Sequence, residues 1–298
     1  MLGVVNLDKP VGPTSHDMVG MLRRLTGIRR IGHAGTLDPL ASGVLPILIG
    51  PATRFSAELS GGSKRYDALI RLGARSATDD AEGPIERVDA PIPPEASVRE
   101  ALDGFVGTFD QLPPAFSARK LGGRVAHRSA RTGERLELPA RSVTIRALDL
   151  VSFAPDAEGA DVRVDLQCGP GTYVRSLARD LGERLGTGGY LRALRRTEAA
   201  GLRVVDAVTP EGLEALAAEG RLEEAVLPIS GFLHLPRLEL DVAAAHDFTH
   251  GSARRIEGSG AADGPHAVFA GEDLLGVGSV RDGVLQPEKV LPREMAHR

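Results

Sequence analysis

The stretch Gly32 to Gly43, GHAGTLDPLASG, most constrains how this chain can fold. Glycine takes backbone dihedrals closed to other residues, and an aspartate before proline is pushed out of the helical region. The stretch therefore reads as a fixed loop that presents Asp38. The apolar run Val44 to Ile49 follows at once and suits a buried strand. Within the loop only His33 and Asp38 could carry proton or nucleophilic chemistry, and the small residues around them would let a bulky flat substrate approach one carboxylate. Taken alone, Asp-Pro in a glycine-rich run is ordinary turn chemistry. The surrounding sequence decides between the two readings.

Upstream, Val4 to Leu7 reads as a strand. Thr14 or Ser15 is placed to cap a helix with Val19, Leu22 and Leu25 on its apolar face, stopped by Gly27. Tyr66 to Leu72 alternates as a strand does, and Pro91 to Pro94 marks a boundary before a helix around Val98 to Val106. Val162 to Leu166 alternates Val, Arg, Val, Asp, Leu and reads as an edge-accessible strand. Val174, Leu177, Ala178, Leu181 and Leu185 form a helical stripe over Tyr173 to Leu185. From about Leu235 short strands such as Ala267 to Phe269 and Leu274 to Val277 point to a small, separate β-rich module.

With 298 residues and 42% hydrophobic content, the chain can bury a core in one large or two medium domains. No apolar run approaches a membrane span and the amino terminus has no signal pattern, so a cytoplasmic location is expected. The lone Cys168 leaves no internal disulfide or cysteine-cluster zinc site, and reads as a buried thiol. No metalloprotease, P-loop or dinucleotide motif occurs, so no metal or other cofactor is expected.

The formal net charge of -4 hides strong segregation. Arg119, Lys120, Arg124, Arg128, Arg131 and Arg135 oppose only Glu134 within Ala115 to Arg135, whereas eight acids crowd Asp79 to Asp103 against Arg87 and Arg99. Arg192, Arg195 and Arg196 form a second basic cluster, and Arg23, Arg24, Arg29 and Arg30 a third. Local basic surface binds phosphates whatever the total charge. Each cluster alone reads as a solvated face; three of them point toward RNA.

Five blocks in order resemble the TruB tRNA pseudouridine synthase family. They are GVVNLDKPVG at Gly3 to Gly12, GHAGTLDPLASGVLPILIG at Gly32 to Gly50, and Lys64-Arg65-Tyr66 leading through Leu72-Gly73 to Thr78, Asp80 and Gly83. The fourth is QLPPAFSARK at Gln111 to Lys120, and the fifth Gly171-Thr172-Tyr173-Val174-Arg175 followed by Leu194-Arg195-Arg196. This resemblance implies an α+β fold, a mixed and mostly antiparallel sheet flanked by helices. It places a catalytic domain at 1–232 with a basic RNA-gripping insertion at about 111–140, and a PUA-like RNA-binding domain at 233–298.

The activity it implies is conversion of uridine to pseudouridine at position 55 in the T loop of tRNA, after the base is flipped out, by a cytoplasmic monomer without cofactor. Asp38 matches the catalytic aspartate and Arg175 the arginine paired with it. Tyr66 matches the tyrosine against the target base, Leu194 the apolar residue on the base's other side, and Tyr173 completes the active-site support. His33 matches the histidine that fills the space of everted nucleotides. Lys9, Lys64, Arg119, Lys120, Arg124, Arg128, Arg131, Arg195 and Arg196 are expected to contact RNA. His127 departs from the family, which usually has a tyrosine there. Asp38 could attack the ribose carbon or take a sugar proton on the way to a glycal, and the residues do not distinguish these routes. Two other classes remain: an RNA chaperone, which would not need Asp38, Tyr66 and Arg175 together, and a nucleoside hydrolase, which would want clustered carboxylates and a metal.

Overall fold

The computed structural model describes residues 1–114, 139–256 and 260–292, with the backbone alone of the two-residue strands Lys120–Leu121 and Arg124–Val125. The larger sheet runs, strand by strand, Gly3–Lys9, Ala41–Ile49, Gly189–Ala199, Lys64–Leu72, Gly159–Cys168, Arg141–Asp156 and Gly107–Gln111. Every pairing along this path is antiparallel except that of Ala41–Ile49 with Gly189–Ala199, which is parallel. The expected mixed, mostly antiparallel sheet with flanking helices is the one observed.

The parallel crossing depends on a glycine. Gly43 has φ +101, and a Cβ there would lie 2.2 Å from the carbonyl oxygen of Arg196, its register partner. Only a residue without a side chain lets the two backbones meet this closely.

Alternation along Lys64–Leu72 puts Tyr66, Ala68, Ile70 and Leu72 into the core. Leu177, Ala178 and Leu181 of the helix Val174–Arg184 belong to the same core. The opposite face carries cross-strand ion pairs, Arg65 with Asp165 at 2.8 Å, Arg163 with Asp67, and Arg71 with Asp156 at 2.7 Å. Exposed pairs of this kind contribute roughly 0–1 kcal/mol each, so the apolar face holds the sheet together. They also correct the reading of Val162 to Leu166 as an edge-accessible strand. Gly159–Cys168 is interior, paired on both sides, and its alternation reports one wet face rather than a free edge.

The first helix, Ser15–Thr26, starts at a reciprocal capping box between Thr14 and Asp17 and stops at Gly27 in the left-handed region. The helix expected around Val98 to Val106 spans Glu95–Asp103. Near the carboxyl end, Arg237–Glu239, Gly264–Ala270, Asp273–Arg281, Val284–Val290 and Arg254–Arg255 form a five-stranded sheet in that order. Its own core is built around Leu238, Phe248, Val268 and Val280. A second cluster joins Ala267, Phe269 and Val277 of that sheet to Val4, Leu48, Phe55 and Leu59 of the larger unit. The module is therefore β-rich as expected, yet it shares core with the rest of the chain. No helix among the described residues is long and apolar enough to cross a membrane.

Candidate active site

Asp38 sits on the loop between the strands Ile31–His33 and Ala41–Ile49, and several hydrogen bonds hold that loop. The buried Ser15 hydroxyl donates to the Leu37 carbonyl at 3.0 Å and accepts from the Leu37 amide at 2.9 Å. The Pro39 carbonyl accepts from Gly12, and the Ala34 amide donates to Pro46. The carboxylate itself is 38% exposed, open enough to meet a substrate.

Arg175, in the first turn of the helix Val174–Arg184, places Nε 2.9 Å from Asp38 Oδ2 while its side chain is only 7% exposed. Its Nη1 lies 3.4 Å from Asp80 Oδ2 and donates to the Thr78 carbonyl at 3.3 Å. Asp80 is buried, and its other oxygen accepts from the Thr78 hydroxyl and the Glu82 amide. One guanidinium thus links two carboxylates, in a setting where charge-assisted hydrogen bonds are strong. The pairing of Asp80 with Arg175 lay beyond the sequence reading, although Asp80 was present in the T…D…G spacing.

A cavity of about 370 Å³ opens at this pair, lined on its sides by Tyr66, Tyr173, Leu194, Lys64 and Arg196. The volume falls in the range of roughly 300–1,000 Å³ typical of small-molecule sites. It suits a single nucleoside and is far too small for a paired stem. Tyr66 is buried, which pushes its phenol above the ordinary range, with neighbouring Arg196 pulling the other way. Burial lowers Lys64 to about 8, helped by repulsion from Arg196, and its ammonium donates to the Ser60 and Gly62 carbonyls at 2.8 and 2.9 Å.

The cationic residues assigned to RNA are placed unevenly. Lys9 is fully buried, with Nζ on the Pro10 carbonyl at 2.7 Å, so its assignment to the surface is corrected. Arg196 is also buried, but at the pocket. It is 1% exposed, spends Nε on the Val44 carbonyl and Nη2 on that of Gly35, and forms part of the pocket wall. Arg195 is not part of the pocket lining and pairs with Asp8 at 2.7 Å. His33 is half-buried beside the loop, with a buried Nδ1 that has no hydrogen-bond partner among the described residues. Burial lowers its imidazole, and Arg196 and His16 add to the effect. Arg119, Arg128, Arg131 and His127 lie outside the described residues, as do the side chains of Lys120 and Arg124.

An acid held by an arginine beside a tyrosine, at a nucleoside-sized cleft on a mixed sheet, can present a carboxylate to a small enclosed substrate. The chain belongs to the TruB family of pseudouridylate synthases: residues 23–174 match the N-terminal domain of that family and residues 175–234 its tRNA pseudouridylate synthase B C-terminal domain. The boundary between the two matches falls beside Arg175, so each contributes one partner of the central ion pair. Curated relatives include tRNA pseudouridine synthase B of Ralstonia nicotianae, 42% identical over 297 residues, covering 97% of this chain and 94% of the relative. The protein of the same name from Burkholderia pseudomallei is 43% identical over 298 residues, covering 97% and 96%. Among solved structures, the archaeal box H/ACA Nop10-Cbf5 complex aligns with TM-score 0.74 and 25% identity over 99% of this chain and 88% of that one. An H/ACA ribonucleoprotein bound to a substrate RNA containing 2'-deoxyuridine aligns with TM-score 0.73 and 25% identity, covering 98% and 86%.

Proposed function

We propose that this chain converts uridine to pseudouridine at position 55 in the T loop of tRNA. The observation that carries the reading is the Asp38–Arg175 pair at the mouth of a pocket walled by Tyr66 and Leu194. The reaction breaks the N1–C1′ bond, turns the uracil while it stays enclosed, and joins C5 to C1′. The C5 proton leaves and N1 gains one, so the product is an isomer. Asp38 supplies the carboxylate that either attacks the ribose carbon or removes a sugar proton. Arg175 orients it through the Nε–Oδ2 contact. Tyr66 and Leu194 flank the base. Because the cavity takes one nucleoside, the uridine must leave its stack, at a cost of a few kcal/mol that protein contacts offset.

The partner in this reading is the T-arm stem-loop, gripped by the basic insertion and the PUA-like module. We read the enzyme as a cytoplasmic chain acting alone; that Asp38, Arg175, Tyr66 and Leu194 meet within one copy supports the second part of that reading.

Transcript tRNA tritiated at uridine C5 tests the proposal. Isomerisation releases label to water, hydrolysis frees uracil, and a chaperone does neither. Asp38→Asn is expected to abolish release and leave tRNA affinity nearly unchanged. Lost affinity with retained release would overturn the assignment.

A further inference from the structure

The helix that carries Arg175 begins without a side-chain cap of its own at Tyr173. Uncapped amides at a helix start need a partner. Here the partner comes from the far edge of the sheet. Gln111, the last residue of the edge strand Gly107–Gln111, is 2% exposed. Its Oε1 accepts from the Tyr173 amide at 2.9 Å, and its Nε2 donates to the Tyr173 carbonyl at 3.2 Å. That carbonyl also accepts from the Leu177 amide at 3.1 Å, the first bond of the helical ladder. A single carboxamide therefore fixes both polar groups of the residue where the helix begins.

The next residue reinforces the seam. The Leu112 carbonyl accepts from the Ser176 hydroxyl at 2.8 Å and from Arg179 Nη2 at 3.0 Å. Tyr173, Val174 and Arg175 all line the pocket, so the backbone that Gln111 holds is pocket wall. Arg175 lies two residues further on, and its aim at Asp38 depends on where that first turn starts.

We propose that Gln111 is a positioning residue for the isomerisation: its two-point grip on Tyr173 sets the helix start from which Arg175 reaches Asp38. The inference rests on the function proposed above. Gln111 touches no substrate atom in it and acts only through Tyr173 and the helix. The chemistry of the side chain matters, because a glutamate of the same shape keeps the acceptor for the amide but turns an oxygen toward the carbonyl. An alanine loses both bonds and leaves two buried backbone groups unpaired.

The test measures single-turnover release of tritium from C5-labelled tRNA, tRNA affinity and thermal midpoint for wild type, Gln111→Ala and Gln111→Glu. Displacement of a catalytic group by about 1 Å costs roughly 100-fold, so losses of about 10- to 100-fold in the chemical rate are expected, with affinity changed less than about threefold. A cycle with Arg175→Lys locates the effect, because two residues acting through one contact are non-additive. The double variant Gln111→Ala, Arg175→Lys is expected to be little slower than Arg175→Lys alone. Rates for both single variants within about twofold of wild type would overturn the proposal, as would strictly additive losses in the cycle. Gln111→Glu keeps the volume and serves if Gln111→Ala does not fold. No release from wild type would overturn the proposed function instead.

Discussion

Arg175 is the residue on which the site turns, because it meets Asp38 through Nε and Asp80 through Nη1. A planar fork can serve two carboxylates in fixed directions, and an ammonium cannot. Arg175→Lys is therefore expected to keep the charge and lose about 100-fold in single-turnover rate, measured by tritium release from saturating tRNA. Lys9 gives a different residue-scale prediction. Burial lowers it to about 8 from an ordinary 10.5, against attraction from Asp38 and Glu82. Below pH 8 both folded and unfolded chains hold the proton and the folded state bears the full penalty. Between about 8 and 10.5 the unfolded chain binds more protons, so this group's contribution to stability rises with pH. Lys9→Met is expected to be stabilised relative to wild type at pH 7. That advantage should shrink by pH 10, as read from urea midpoints at the two values.

At the scale of elements, sequence periodicity located several of the strands and helices that flank the site, but not the strand Gly189–Ala199 that carries Leu194 and Arg196. Side chains that tie one element to another were less legible. Val174 to Leu185 announced its helix through an apolar stripe, and Thr14 and Gly27 announced the ends of the first helix. Ser15 was readable only as a possible cap, whereas it bonds Leu37 across a separation of 22 residues. Asp80 and Gln111 were visible as letters of motifs, but a motif does not say which backbone its side chain will meet. Charge in a sequence reads as surface, so the burial of Lys9 and Arg196 against backbone carbonyls was not legible. Ser15→Ala leaves the Leu37 amide and carbonyl without their partner, which costs about 1–3 kcal/mol in urea unfolding. The variant is also expected to turn over more slowly, since the loop it releases carries Asp38.

For the whole molecule, the core shared between the two sheets makes a further prediction. Phe269 and Val277 of the C-terminal sheet pack in one cluster with Val4, Leu48 and Phe55. Lys289 pairs with Glu58, and Arg54 donates to the Val290 carbonyl. Units joined this way should unfold together. Calorimetry is expected to give a single transition with matching calorimetric and van't Hoff enthalpies, and two resolved transitions would oppose it. The β-rich tail was legible in the chain's texture and the mixed sheet only through the family resemblance, whereas their common core was not. Phe55 and Phe269 lie more than two hundred positions apart in the sequence, and no local pattern links them.

The loop bearing Asp38 is pinned from the first helix, from Gly12 and from the following strand. A carboxylate tethered from three directions need not be ordered by what it meets, so little of the binding energy goes into seating it.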